Sequence, residues 1–391
     1  MSRRKRRKKN NLKKIVIALA AAVVVVAAAI GIFQFKSPLQ ALLTPGKVEG
    51  VTANVCYSQV GLKWDAAKKA KGYKILERTA DGDETLGYTN GDTKFTIKDY
   101  DNEKEHEYIV EAIRKDPFNG TEYTGEPSDP VEAYYDKSKY AQKVPVLAYH
   151  AVISSQEEAN SSLIIVESAF DEQMKYLHDN GYKTLTLDEF RQWYLGKKEL
   201  PKKAVLITFD DGDYGVYHFA YPIIKKYDQA ATSFIIGHHV GETTDDYVAD
   251  ITQNHYIGWD VIQKVRKEYP KFEFESHTYD MHQRVNGKVP AKGFTYEQIV
   301  EDTKANDRFG FSYLAYPWGT HTEKMQKALK DCGYKMAFAY RPFYYATRNN
   351  DPFAIDRIKI RGAIPLEKFI RIVSGENEKY DNPDDPDNVE E

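Results

Sequence analysis

Ala204-Val205-Leu206-Ile207-Thr208-Phe209-Asp210-Asp211-Gly212 opens on four apolar residues and closes on two carboxylates and a glycine. The apolar run is short enough for a buried parallel strand. A strand that ends in acids sets them at its carboxyl edge, where α/β folds keep their chemistry. Successive strand side chains point to opposite faces, so Asp210 and Asp211 can do different jobs, one binding a metal and the other handling a proton. The same residues also fit a strand ending in a solvated Asp-Asp-Gly turn.

A second stretch bears on that choice. Phe272-Glu273-Phe274-Glu275-Ser276 alternates like a strand and runs into His277-Thr278-Tyr279-Asp280-Met281-His282. Five residues turn a helix by about 500°, so the two histidines cannot share a helix face. They can converge from a strand end and the loop after it. One carboxylate and two imidazoles make a three-ligand set that leaves positions for water and substrate. Around these stretches, extended and helical segments alternate from residue 144 to residue 340, which implies a parallel sheet. Composition does not choose between a barrel and an open sheet.

Thr208-Phe209-Asp210-Asp211, His277-Thr278 with His282, and Ala315-Tyr316-Pro317-Trp318-Gly319 resemble the first three motifs of the NodB-homology polysaccharide deacetylases, carbohydrate esterase family 4. The resemblance spans residues 144–374 and implies an α/β fold, a distorted (β/α) barrel with fewer than eight complete units. It implies removal of N-acetyl groups from a glycan, with Asp211, His277 and His282 holding a divalent metal and Asp210 as general base. Zn²⁺ is the first expectation; Co²⁺, Ni²⁺, Mn²⁺ or Fe²⁺ suit the same donors. The backbone N–H of Trp318 would face the oxyanion, and Trp318, Tyr316 and Tyr149 would line the sugar site.

Three features depart from the common family pattern. The histidines are five apart instead of four, which resembles the branch acting on poly-N-acetylglucosamine. The C-terminal Leu-x-His is missing, since the last histidine is His321. Leu147-Ala148-Tyr149-His150 resembles that branch's alternative, a proton-donating histidine on the first strand, so His150 is the expected acid. Residues 312–317 lack the arginine that orients the base, and Arg357 is the preferred substitute, with Asp356 as a partner for it.

Charge divides the chain. Residues 1–14 carry nine Lys/Arg and no acid, leaving 46 basic and 58 acidic residues elsewhere, a net of −12. That argues against nucleic acid as a partner. Residues 15–33 contain no charged or polar side chain, and 19 residues at about 1.5 Å each can cross a bilayer core. Basic residues before the run keep the N-terminus cytoplasmic. We therefore expect a membrane anchor over 15–35 with the enzyme outside the cell; a cleaved signal peptide is the rival reading. Residues 36–47 read as a tether.

Residues 48–135 hold short alternating runs parted by turn residues, the pattern of a small β-sandwich. Leu62-Lys63-Trp64, Gly72-Tyr73-Lys74-Ile75, Tyr108-Ile109-Val110-Glu111-Ala112 and Gly125-Glu126-Pro127-Ser128 resemble a fibronectin type III domain. It carries no catalytic constellation and reads as a spacer, with glycan or protein binding as the alternative. Residues 375–391 are acidic and read as disordered. Cys56 and Cys332 fall in different domains, so no disulfide is expected. Two rivals to the deacetylase stay open: an inactive surface glycan-binding or adhesion protein, and an esterase for O-acetyl groups.

Overall fold

The computed structural model describes residues 42–154, 161–244, 255–284, 290–340 and 344–376. The basic segment 1–14, the anchor 15–35, the first half of the tether and the tail from 377 lie outside the described residues. Among the described residues no helix is long and apolar enough to cross a membrane. Two compact units emerge. The first comprises the described residues up to Asn54, with Val60–Ile97 and Glu105–Ala133; the second comprises Val55–Gln59, Lys98–Lys104 and the chain from Tyr134.

The strands of the N-terminal region are β1 (Thr52–Cys56), β2 (Gln59–Lys63), β3 (Gly72–Thr79), β4 (Gly82–Thr89), β5 (Lys94–Lys98), β6 (His106–Lys115), β7 (Glu122–Thr124) and β8 (Val131–Ala133). One sheet has the order β1-β2-β5, and the other β4-β3-β6-β7 with β8 on β6. Val60, Leu62, Trp64, Tyr73, Ile75, Tyr108, Val110 and Ala112 are buried, the alternate positions that a two-sheet core requires. Strand β4 forms the edge of the second sheet. Its sequence, GDETLGYT, is polar and mostly exposed, as an edge strand can be.

The second unit is an α/β half-barrel. Its strands are β9 (Val146–Tyr149), β10 (Ala204–Phe209), β11 (Ala231–Ile235), β12 (Phe272–Ser276), β13 (Tyr313–Ala315), β14 (Met336–Phe338) and β15 (Ile358–Lys359). They run in the order β14-β13-β12-β11-β10-β9-β15, all parallel. One parallel bridge, Phe338↔Ile355, ties edge strand β14 to the segment leading into β15. Every residue of β9, β10 and β11 is buried, because the sheet is covered on both sides.

Alternation sorts these strands into two cores. Val146, Leu206, Phe234, Ala315, Phe338 and Ile355 meet inside, under Phe190 and Trp193 of helix α2 (Leu187–Tyr194). Tyr149, Ile207 and Phe209 face outward onto Phe170 and Met174 of helix α1 (Glu167–Asp179). Register pairs Tyr149 with Phe209, Ile235 with Ser276, and Ala315 with Phe338. His150, Asp210, His277 and Tyr316 therefore all leave the sheet at one edge. Cys56 and Cys332 form no disulfide among the described residues.

Candidate active site

Asp210 follows β10 on the inward face, two residues beyond Thr208, and is 1% exposed. Arg357, fully buried just before β15, meets it as a fork: Nη1 donates to Oδ1 at 2.7 Å and Nη2 to Oδ2 at 2.8 Å. Nη1 also reaches Thr208 Oγ1 at 3.2 Å, and Nε donates to Ala339 O at 3.4 Å. Arginine's planar donors match a carboxylate in this way. Burial raises the Asp210 pKa, but the charge of Arg357 opposes it and the balance falls well below the usual carboxylate range. The expected pairing of Arg357 with Asp356 gives way to this one; Asp356 accepts from Asn350 Nδ2 at 2.7 Å. A guanidinium thus reaches the acid from the last strand although the 312–317 segment supplies none.

Asp211 sits in the turn after β10 with a φ of 73°. Its Oδ1 lies 3.3 Å from His277 Nε2 and 3.4 Å from His282 Nε2. These are ion-pair separations, and no hydrogen bond closes on that buried oxygen. His277, directly after β12, has its Nδ1 2.9 Å from the carbonyl of Ala315. A carbonyl only accepts, so Nδ1 carries the proton and Nε2 turns a lone pair toward Asp211. An unpartnered carboxylate oxygen facing imidazole nitrogens fits a cation between them. Among the described residues this is the one His/Cys/Asp/Glu trio whose ligand atoms converge, all within 4.8 Å.

The loop carrying His282 is held from two sides. Asp302, in helix α5 (Tyr296–Ala305, after α3 at Tyr221–Lys226 and α4 at Trp259–Glu268), accepts the N–H of Tyr279 at 2.8 Å and of Asp280 at 2.7 Å. Gly237 N donates to Thr278 O and His238 N to Tyr279 O. Burial pushes the Asp302 pKa up to about 6 against those two donors. Thr278 has a φ of 73° and Trp318 one of 55°. Three of the loops that form the site, those after β10, β12 and β13, thus hold a non-glycine residue in the left-handed region, which is sparsely populated.

Trp318 stacks on His282, centroids 4.4 Å apart and planes at 27°, and is half-exposed. His150 leaves β9 at the same edge, its ring 6.5 Å from that of Tyr340 and nearly parallel to it. Burial lowers its pKa, and Asp210 and Asp211 offset only part of that. Its Nδ1 is buried with no hydrogen bond among the described residues.

Two expected sugar contacts are corrected. Tyr149 is fully buried, its hydroxyl donating to Gln173 Oε1 at 2.7 Å and its ring set edge-on against Phe170. Tyr316 is equally buried, with its hydroxyl on Phe353 O at 3.0 Å and its ring among Leu314, Ala337 and Met325. Alternation is the reason. The residue after Tyr149 points into the site, so Tyr149 points out of it, and neither ring reaches the trio. Sequence reasoning also passed over Tyr340, whose hydroxyl donates to Asp210 Oδ2 at 2.8 Å, and over Asp302. Tyr340 could have been found by the rule that found the others, since it stands just past the end of β14. His238 and His239 are exposed, and His239 stacks on Tyr256.

The polysaccharide deacetylase family model matches residues 197–337. YxkH of Bacillus subtilis, named for that family, is 30% identical over 255 residues, 64% of this chain and 83% of YxkH. The poly-β-1,6-N-acetyl-D-glucosamine N-deacetylase of Staphylococcus aureus MRSA252 is 34% identical over 238 residues, 58% of this chain and 77% of its own. The solved structure of a de-N-acetylase from Aggregatibacter actinomycetemcomitans shares the fold, with 21% identity, a TM-score of 0.50, and coverage of 59% of this chain and 99% of that one. With a relative matched over most of its length and the family model lying across the strands that carry Asp210, Asp211 and His277, the chain belongs to the polysaccharide deacetylases, hydrolases of carbon–nitrogen bonds.

Proposed function

We propose that the chain removes N-acetyl groups from a cell-surface polysaccharide, with poly-N-acetylglucosamine preferred to peptidoglycan. The observation that carries the reading is the unpartnered Asp211 Oδ1 between two imidazole nitrogens, beside a carboxylate clamped by arginine. The staphylococcal relative named for that polymer supports the choice of glycan. Asp211, His277 and His282 hold a divalent cation, Zn²⁺ first. When bound, the ion polarises the acetyl carbonyl and lowers the pKa of water toward about 7. Asp210 stays ionised against Arg357 and accepts the proton of the attacking water. Such a depressed carboxylate is a weak base, so it works only within hydrogen-bond reach of an already acidified water. The N–H of Trp318 donates to the oxygen that gains charge. His150 gives a proton to the leaving nitrogen as its bond to the acetyl carbon breaks, and acetate and a free amine depart.

The uncharged run at 15–33 supports an anchored enzyme working outside the cell, with the β-sandwich as spacer. The test is acetate release from β-1,6-linked N-acetylglucosamine oligomers by the full chain in detergent, metal-free, with Zn²⁺ or Co²⁺ added, and as Asp210→Asn. Metal-dependent release that Asp210→Asn abolishes is the expected result. Release from O-acetylated sugars alone would move the activity to esters. No release from either, by a chain holding one metal, would end the reading.

A further inference from the structure

Tyr340 lies where the parts of the site meet. Its hydroxyl donates to Asp210 Oδ2 at 2.8 Å. The Arg357 guanidinium stands 4.5 Å from its ring centroid and Lys359 Nζ 5.1 Å. The ring lies almost parallel to that of His150. The turn that presents Trp318 is shaped to admit it. Gly319, at a φ of +69°, faces the ring so closely that a Cβ there would sit 2.4 Å from Tyr340 Cδ2.

Counting lone pairs gives this contact a meaning. An ionised carboxylate has about four acceptor sites, two per oxygen. Oδ2 of Asp210 takes Arg357 Nη2 and the Tyr340 hydroxyl, and both its sites are filled. Oδ1 takes Arg357 Nη1 alone. Arginine by itself would leave the two oxygens equivalent, and tyrosine removes the symmetry. We infer that Tyr340 is a positioning residue that closes Oδ2, so that Asp210 accepts its proton through Oδ1 only.

This rests on the reading of Asp210 as the proton acceptor. Tyr340→Phe tests it, since it keeps the ring against Gly319 and removes one oxygen. A hydrogen bond to a charged group is worth about 1.5–3 kcal/mol, so kcat for acetate release falls roughly tenfold to a hundredfold. KM stays within about twofold and metal stoichiometry is unchanged, while the melting temperature falls by a few degrees for the lost buried hydrogen bond. In an Asp210→Asn background, adding Tyr340→Phe lowers the residual rate no further. A Tyr340→Phe chain with kcat within twofold of the parent would overturn the inference, and so would one that lost its metal. A further tenfold fall in the Asp210→Asn background would also overturn it, because Tyr340 would then act on something other than Asp210. Absence of acetate release by the parent itself would overturn this inference and the proposed function together.

Discussion

The two halves of the site differ in how far their polar atoms are satisfied. On the arginine side Asp210 accepts three hydrogen bonds from two residues, Arg357 is fully buried, and Thr208 and Ala339 each accept one more from the guanidinium. On the histidine side Asp211 Oδ1 is buried without a hydrogen bond, and two imidazole nitrogens converge on it. The first half pairs most of its polar atoms as folded, with a site on Asp210 Oδ1 left open, and its groups contribute to stability. The second carries an uncompensated polar atom, a cost that a bound cation would offset. One turn of chain, Asp210-Asp211, joins them. A protein can therefore keep a rigid carboxylate and a loading site one residue apart, provided each is wired to different strands.

This contrast can be broken by substitution. Asp211→Asn removes a ligand but no internal hydrogen bond. Acetate release falls by at least about a thousandfold with bound metal lost, while the denaturant midpoint of the metal-free chain hardly moves. A large drop in that midpoint would show the histidine half to be structural after all. Arg357→Met strikes the satisfied half and leaves Asp210 buried and unpaired, which costs about 3–5 kcal/mol in urea unfolding. The pair Asp210→Asn with Arg357→Met recovers most of that loss and none of the activity. Asp302→Asn loosens the His282 loop without touching a ligand, and metal affinity by competition with a chelator weakens roughly 10–100-fold.

Glu275 offers a smaller effect. It accepts the N–H groups of Ser312 and Tyr313, yet burial pushes its pKa up to about 7. Its folded value exceeds the unfolded one, so its contribution to stability is full below about pH 4.3 and disappears as pH rises through 7. Glu275→Gln should remove that component, which approaches a tenfold change in the unfolding equilibrium per pH unit inside the window. Identical pH slopes for parent and variant would refute the shift. Smallest of all, Tyr316→Phe loses one buried hydrogen bond, about 1 kcal/mol, and leaves KM within twofold. A clear rise in KM would return Tyr316 to the sugar site.

The strand ends became legible through the resemblance of three motifs together, because an apolar run ending in Asp-Asp-Gly by itself also fits a solvated turn. Arg357 could be proposed by elimination, since the usual segment lacked an arginine. Alternation was applied to Asp210 and Asp211 but not to Tyr149 beside His150, nor to Tyr316 after Ala315, and both tyrosines turned out to be core. Asp302 was illegible for another reason. It acts on backbone N–H groups 22 and 23 residues away, and such an acceptor leaves no spacing or residue-type signature. The bridge from Phe338 to Ile355 involves one residue pair and no periodic run, so nothing in the pattern announces it.

The left-handed residues Asp211, Thr278 and Trp318 also bear on engineering. Each such conformation costs on the order of 1–3 kcal/mol, which the surrounding fold must supply. Glycine at any of the three would relieve that cost. A selection for heat resistance alone would therefore be drawn to these three loops of the site, and gain melting temperature there while losing the geometry of its ligands. Directed evolution of this chain should hold positions 211, 278 and 318 fixed and look for added stability in the sandwich or the outer helices.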